Sequence, residues 1–362
     1  MHRWSRRELA RRLRAEAARR GDHSLPDDEN LIRSVRRWEA GTHRPGELYV
    51  GLLSTALDPG AVARVEAAAS GHVRPDLSTA GHLAAVVHEL RERDDTAPTG
   101  SLLPAAGALS VLTEQMTVDA RLGEQREAGQ VAAEAATLHW WLAVDAGHYD
   151  LARTVHDRAM ALAVEWGVPA LVGHLLGWRA GLALAQGDLT TTIRLARRAR
   201  LPQWGMSAGG TAWATAYEAR AHVLRGAPDA GRALDTARAA YDAVDPSSEP
   251  PWLYWLSGHI LRLDRLDMEL LAEGTAAVPA VEAALAELPT TRMRDAAWYR
   301  AHIAAAQARA GDIDGSTRNA LEAARLSRAT GTQWTLAELW QLARQRPELA
   351  QVGEALADTA GP

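Results

Sequence analysis

Residues 133–166 of the chain read AEAATLHWWLAVDAGHYDLARTVHDRAMALAVEW. Two helix-forming stretches, 133–145 and 151–166, flank a turn at Ala146-Gly147-His148-Tyr149. Glycine ends helices readily because it tolerates the left-handed backbone conformation that other residues avoid. This stretch therefore predicts two helices that fold back on each other as a helical hairpin.

The same turn pattern recurs along the C-terminal part of the chain. The turn glycines are Gly147, Gly187, Gly226, Gly274 and Gly311, at intervals of 40, 39, 48 and 37 residues. A period of this length is typical of helical repeat proteins. A Pro-containing stretch at 244–251 lies in the longest interval and is expected to be a hinge or an insertion. We predict that residues 101–362 form an α-solenoid of helical hairpins.

The first 58 residues contain three short amphipathic helical patterns. In one of them, Leu31, Val35 and Trp38 fall on a single helical face. Its other faces carry Arg33, Arg36 and Arg37. Gly41 and Pro45 follow and predict the end of this helix. The pattern indicates one buried face and one basic face.

Charge is distributed unevenly between the two ends of the chain. Residues 1–46 carry 12 Arg against 7 Asp or Glu, a balance of +5; since the whole chain carries −5, the remainder carries −10. Arginines that face phosphates bind a polyanion by releasing its counterions. A basic N-terminal segment therefore favours a nucleic-acid partner, although an Arg-rich face that is simply solvated has the same composition.

The N-terminal segment resembles a known DNA-binding family. The stretches WSRRELA at 4–10 and VRRWEAG at 35–41, with Pro45, are similar to the lambda-repressor-like (Cro/Xre-type) helix-turn-helix domain. The resemblance implies binding to double-stranded DNA, with the second helix in the major groove. It places Arg33, Ser34 and Arg37 near base edges, and it assigns contacts with the DNA backbone to Ser5, Arg6, Arg36 and Arg44.

The domain differs from the family pattern in two respects. The family has one more helix before residue 4, where this chain has three residues, so we expect residues 1–58 to be a helix-turn-helix domain lacking its first helix. Either translation starts further upstream or the domain has degenerated. The segment 14–29 is longer than a simple turn, and it forms either a wing or a connection that sets another angle between the helices. Residues 59–100, broken by Pro and Gly, are expected to be a helical connector.

The C-terminal segment resembles tetratricopeptide-type repeats. A Cro/Xre-type head followed by such a body resembles a class of one-component regulators of high-GC bacteria. The resemblance implies an all-α protein whose repeat domain binds a peptide, a small effector or a partner protein and builds a homodimer.

Aromatic residues suggest where an effector binds. Eleven of the 13 Trp lie beyond residue 100, many of them in the first helix of a predicted hairpin. The candidate effector-binding residues are Trp178, Arg179, Tyr217, Arg220, His259 and Arg262. Arginines that face inward together would favour an acidic ligand. The alternative is that these tryptophans fill the core, as buried Trp usually does.

Composition argues against enzyme chemistry. The chain has no Cys and no Lys, which excludes disulfides, thiolate chemistry and the lysine of a P-loop or Schiff base. The stretch GMSAG at 205–209 matches G-x-S-x-G by letter but lies between predicted helices, whereas a nucleophile elbow follows a strand. We expect no catalytic residue, no cofactor and no metal site.

No apolar run approaches a membrane span and no signal peptide is evident, so we expect a cytoplasmic protein without membrane contact. Two hypotheses follow from the sequence. The first is a DNA-binding transcriptional regulator that senses an effector, and the second is a protein-interaction scaffold with a vestigial helix-turn-helix.

Overall fold

The computed structural model describes residues 6–19, 25–39, 76–94 and 97–357. These residues form helices, turns and connecting segments, and no β-strand occurs among them. The predicted all-α class is confirmed.

The chain divides into two compact units. The first unit combines the residues up to Glu89 with Leu112–Val131, and the second combines Leu90–Val111 with the residues from Ala132 onward. The first unit contains α1 (Arg6–Arg19) and α2 (Asp28–Glu39). Three helices contribute residues to both units: α3 (Leu77–Asp94), α4 (Thr99–Asp119) and α5 (Gln125–Asp145).

The described part of the second unit continues with eleven further helices. They are α6 (Tyr149–Glu165), α7 (Pro169–Ala185), α8 (Leu189–Ala199), α9 (Ala208–Leu224), α10 (Ala230–Asp242), α11 (Gly258–Glu273), α12 (Val278–Ala286), α13 (Met293–Ala310), α14 (Ile313–Thr330), α15 (Gln333–Gln345) and α16 (Ala350–Ala357). Consecutive helices pack against each other, most extensively α13 with α14, α9 with α10 and α7 with α8.

Helices α1 and α2 pack through the apolar face that the sequence predicts. Leu31 and Val35 of α2 are fully buried together with Leu13 of α1. The start of α2 is fixed by Asp27, whose Oδ1 accepts a hydrogen bond from the Asn30 backbone N–H at 2.9 Å. Gly41 and Pro45 lie outside the described residues, as does the side chain of Trp38.

The five predicted turn glycines all lie between helices of the second unit. Gly147, Gly187, Gly226, Gly274 and Gly311 have φ values between +63° and +83°. An L-residue with a side chain rarely adopts this conformation, which is why glycine occupies these positions. The helical pairs predicted around these turns are therefore present.

The long interval contains an irregular connection between α10 and α11, residues 243–257. It includes two short 3-10 helices, Pro246–Ser248 and Pro251–Leu253, each of which begins with a proline. Side chains anchor the connection to other elements. Glu249 Oε1 accepts from the Gly209 N–H at 2.7 Å, and the Tyr254 hydroxyl donates to Asp94 Oδ2 at 2.8 Å.

The second unit closes on itself. Helix α15, which lies near the C-terminal end of the unit, packs against α7. The rings of Trp334 on α15 and Trp178 on α7 have centroids 6.0 Å apart, and Trp334 also lies 6.1 Å from Trp141 on α5. The helices of this unit therefore surround an interior lined by aromatic rings.

Arg294 of α13 holds this closure together. Its guanidinium lies 3.0 Å from Asp94 Oδ1 at the end of α3 and 3.1 Å from Asp145 Oδ2 at the end of α5. It also donates to the Thr99 hydroxyl of α4 at 2.9 Å. Thr332, just before α15, donates to the other oxygen of Asp145. One side chain thus connects elements that are about 200 residues apart in the chain.

Replacing Arg294 with Met should strongly destabilise the second unit. Asp94 and Asp145 are 2% and 0% exposed, and the substitution removes the guanidinium that compensates both carboxylates. Breaking a buried ion pair costs roughly 3–5 kcal/mol. Urea unfolding followed by tryptophan fluorescence measures the loss.

Arg325→Met is the matched control, because Arg325 forms an exposed pair with Glu322 within α14. Pairs of this kind contribute at most about 1 kcal/mol. Equal losses for the two variants would contradict the role given to Arg294.

Candidate functional site

The interior of the second unit contains a cavity of about 1170 Å³, its open mouth included. Seven of the 13 Trp and four of the 6 Tyr of the chain line it. These are Trp141, Trp178, Trp213, Trp252, Trp255, Trp298, Trp334, Tyr217, Tyr241, Tyr254 and Tyr299. Cavities with apolar, aromatic walls and a few polar groups are typical of small-molecule sites.

Trp178 on α7 stands at the centre of the aromatic wall. Its ring centroid lies 4.3 Å from that of Trp141, 4.6 Å from that of Trp213 and 6.3 Å from that of Trp255. These are the distances at which aromatic rings attract each other. Its indole N–H donates to His174 Nε2 at 2.9 Å, which fixes the orientation of the ring.

Two glycines of α7 allow the aromatic side chains of α9 to approach closely. A Cβ atom on Gly181 would lie 2.6 Å from Cζ of Tyr217, and one on Gly177 would lie 3.0 Å from Cζ3 of Trp213. The spacing of Gly173, Gly177 and Gly181 places all three on one helical face. This glycine face lets α9 project its rings into the cavity.

The arginines that line the cavity are paired with carboxylates of the chain. Arg91 donates to Glu134 at 2.8 Å, and Arg220 forms an ion pair with Asp267. Arg294 is engaged by Asp94 and Asp145, as described above. Their positive charge is compensated internally, which argues against the acidic ligand expected from inward-facing arginines.

Asp264 of α11 differs from the other acidic side chains of the cavity. No basic side chain lies within ion-pair distance of it in the described part of the chain. Tyr299 donates to its Oδ1 at 2.7 Å. Burial raises the pKa of Asp264 to about 6, with a contribution from Asp295, although Tyr299, Tyr241 and Arg220 act in the opposite direction.

Several residues that line the cavity each carry a buried polar atom without a hydrogen-bond partner among the described residues. These atoms are Asp264 Oδ2, His174 Nδ1, Trp255 Nε1 and Trp334 Nε1. Burial lowers the pKa of His174 to about 3, so the ring is neutral at pH 7. Since its Nε2 accepts from Trp178, its Nδ1 carries the proton. The residues that line the cavity therefore carry three N–H donors and one carboxylate oxygen without a partner.

The structure brings together half of the predicted effector-binding residues. Trp178, Tyr217 and Arg220 line the cavity. Arg179, His259 and Arg262 are exposed and do not line it, and Arg262 pairs with Glu287 instead. The physical reason is helical rotation, because a residue next to a cavity-lining position points about 100° away.

The sequence analysis did not assign Asp264 or Asp94 to the site. It also did not assign the four residues that the irregular connection and α10 contribute: Tyr241, Trp252, Tyr254 and Trp255. The signal was present in the 48-residue interval, where a chain segment too long for a turn is rich in aromatic residues.

The predicted DNA-contacting residues lie mainly on α2 or outside the described residues. Arg33 and Arg36 are exposed on α2. Ser34 is half-buried, and its hydroxyl donates to the Asn30 carbonyl at 3.1 Å. Ser5 and Arg44 lie outside the described residues. Arg6 and Arg37 belong to α1 and α2, but their side chains are not described.

The G-x-S-x-G stretch forms a helix start. Gly205 has a left-handed conformation after the 3-10 helix Pro202–Trp204, and Ser207 caps α9 by accepting from the Gly210 N–H at 3.2 Å. Across the described residues, no group of three His, Asp or Glu side chains is arranged to hold a metal ion. None of the described helices is both long and apolar enough to cross a bilayer.

No model of a protein family matches the chain, and no curated protein matches it. The function must therefore be inferred from the residues themselves.

Replacing Asp264 with Asn should stabilise the protein at pH 7. In the unfolded chain this carboxyl has its ordinary pKa, whereas burial raises the pKa to about 6 in the fold. The folded state therefore loses stability as the pH rises from about 4 to about 6, by up to about 3 kcal/mol. Asn keeps an oxygen that accepts from Tyr299, and urea unfolding at several pH values measures the gain.

The gain should be absent at pH 4 and complete at pH 7. The contrasting variant is Asp267→Asn on the same helix, which leaves the buried Arg220 without its carboxylate and should lower stability by roughly 3–5 kcal/mol. If Asp264→Asn is less stable than the wild-type chain at pH 7, the description of Asp264 as an uncompensated buried carboxylate is wrong.

Proposed function

We propose that this protein is a cytoplasmic transcriptional regulator. Residues 1–58 bind double-stranded DNA, and residues 101–362 bind an effector and form the homodimer. The observation that carries the DNA-binding part is the amphipathic surface of α2. This helix buries Leu31 and Val35 and exposes Arg33 and Arg36.

Exposed arginines on a packed helix suit both parts of DNA recognition. A guanidinium binds phosphates without sequence preference and also pairs with the edge of guanine in the major groove. The surplus of Arg in residues 1–46, within a chain of net charge −5, supports a polyanionic partner for this end.

The cavity of the second unit supports the sensing part of the proposal. It is lined by convergent aromatic side chains and by polar atoms that lack partners within the described residues. Buried polar groups without partners are costly, and a ligand that completes their hydrogen bonds removes that cost. The consecutive helical pairs of this unit are consistent with a tetratricopeptide-like body.

A dimer of such a regulator would bind a palindromic operator, because the symmetry of the protein is matched by that of the two half-sites. The resemblance to one-component regulators supports this arrangement.

The test is a mobility-shift assay of the full chain with the promoter region of its own gene, at several salt concentrations. We expect binding that weakens as salt rises. Arg33→Ala should relax the preference between the promoter and unrelated DNA, since it removes a base contact. Arg36→Ala should weaken binding to both DNAs. It should also reduce the slope of log affinity against log salt concentration by the contribution of about one phosphate contact.

Arg318→Ala is the matched control, because Arg318 is equally exposed but lies on α14. It should bind DNA like the wild-type chain. Absence of salt-dependent binding by the wild-type chain would refute the proposal. Co-purification of one stoichiometric protein partner in that case would favour the interaction scaffold.

A further inference from the structure

The cavity combines aromatic walls with an excess of acidic groups. Its lining contains five aspartates against three arginines, a formal charge of −2. The aspartates are Asp94, Asp145, Asp264, Asp267 and Asp295, and the arginines are Arg91, Arg220 and Arg294. Partners outside the lining do not change this balance, because Glu134 pairs with Arg91 and Arg292 pairs with Asp295 at 3.1 Å.

One of the two surplus negative charges lies at Asp264, and Asp94 and Asp145 together leave the other. Asp94 and Asp145 share Arg294, and Asp267 has Arg220. Asp264 has neutral partners only: the Tyr299 hydroxyl donates to its Oδ1, the Tyr241 hydroxyl also stabilises the carboxylate, and Oδ2 has no hydrogen-bond partner at normal distance in the described structure. A positively charged group placed beside Oδ2 would supply the missing partner.

Aromatic rings favour the same charge. The face of an indole or phenol ring is the negative end of its quadrupole and attracts a cation within about 6 Å of the ring centre. The attraction strengthens where water is excluded. An anion inside this cavity would face both the ring quadrupoles and the surplus carboxylates.

We propose that the cavity binds an amphipathic organic cation, a molecule with apolar rings and a positively charged nitrogen or comparable onium centre. Its charged centre lies beside Asp264, and its rings pack against the tryptophans around Trp178. The inference that this ligand is the effector of a regulator rests on the proposed function. The inference that it binds in the cavity rests on the charges and the aromatic rings alone.

The unpartnered N–H groups add a further feature to this ligand. Trp255, Trp334 and His174 line the cavity, and each carries an N–H donor without an acceptor among the described residues. An ether, carbonyl or hydroxyl oxygen on the apolar body of the ligand would accept from them. The cavity is therefore matched to a cation that also carries oxygen atoms.

The sign of the charge is tested with two probes of nearly equal size and shape. Tetraphenylphosphonium carries one positive charge and tetraphenylborate one negative charge. Isothermal titration of the full chain, without DNA, should show that the phosphonium binds at least about 10-fold more tightly than the borate. Tighter or equal binding of the borate would overturn the proposal, and so would absence of binding by both probes.

The position of the ligand's charged centre is tested with variants of two acidic residues. Asp264→Asn should lower the affinity for tetraphenylphosphonium at least about 10-fold, whereas Asp235→Asn should leave it unchanged. Asp235 is an exposed carboxylate on α10 and does not line the cavity. Circular dichroism verifies that both variants are folded. Wild-type affinity in Asp264→Asn would overturn the assignment to this residue.

The two proposals fail in distinguishable ways. Phosphonium binding by a chain that does not bind DNA supports the ligand inference and overturns the proposed regulator. DNA binding by a chain that prefers the borate, or binds neither probe, overturns the ligand inference alone.

Discussion

The ion pairs of Arg294 with Asp94 and Asp145 are the interaction on which the second unit depends. Glycine turns make consecutive helices pack in pairs, but pairs alone would extend as an open array. Arg294 joins α13 to the ends of α3 and α5, and its partner Asp145 also receives Thr332 from the start of α15. The ends of α3 and α5 are thereby held to α13 and to the start of α15, and the interior becomes a cavity.

Because the interior is closed, its charged groups and its aromatic rings act on the same enclosed space. In a shielded site electrostatic interactions are stronger than in water, so every carboxylate there needs a partner. Most have one, whereas burial raises the pKa of Asp264 to about 6. A carboxylate without a cationic partner is costly to bury, and the proposed cation would remove that cost. The surrounding tryptophans supply both apolar contact and attraction for a cation.

Local features could be read from the sequence, and long-range features could not. Gly147 and Gly311 mark turns because backbone conformation is a local property. Helical periodicity likewise predicted that Leu31 and Val35 are buried. Arg294 and Asp94 are 200 residues apart, and no local pattern relates them. Trp178 was predicted to face the effector together with Arg179, yet one lines the cavity and the other is exposed, since the sequence alone did not fix the rotation of α7.

Thermodynamic coupling tests most directly whether the aromatic cavity is the effector site of a DNA-binding protein. The affinity for fluorescent promoter DNA is measured by anisotropy with and without saturating tetraphenylphosphonium, and the affinity for the phosphonium is measured with and without the DNA. Each ligand should change the affinity for the other by the same factor, about 5-fold or more. Independent binding of the two would contradict the account.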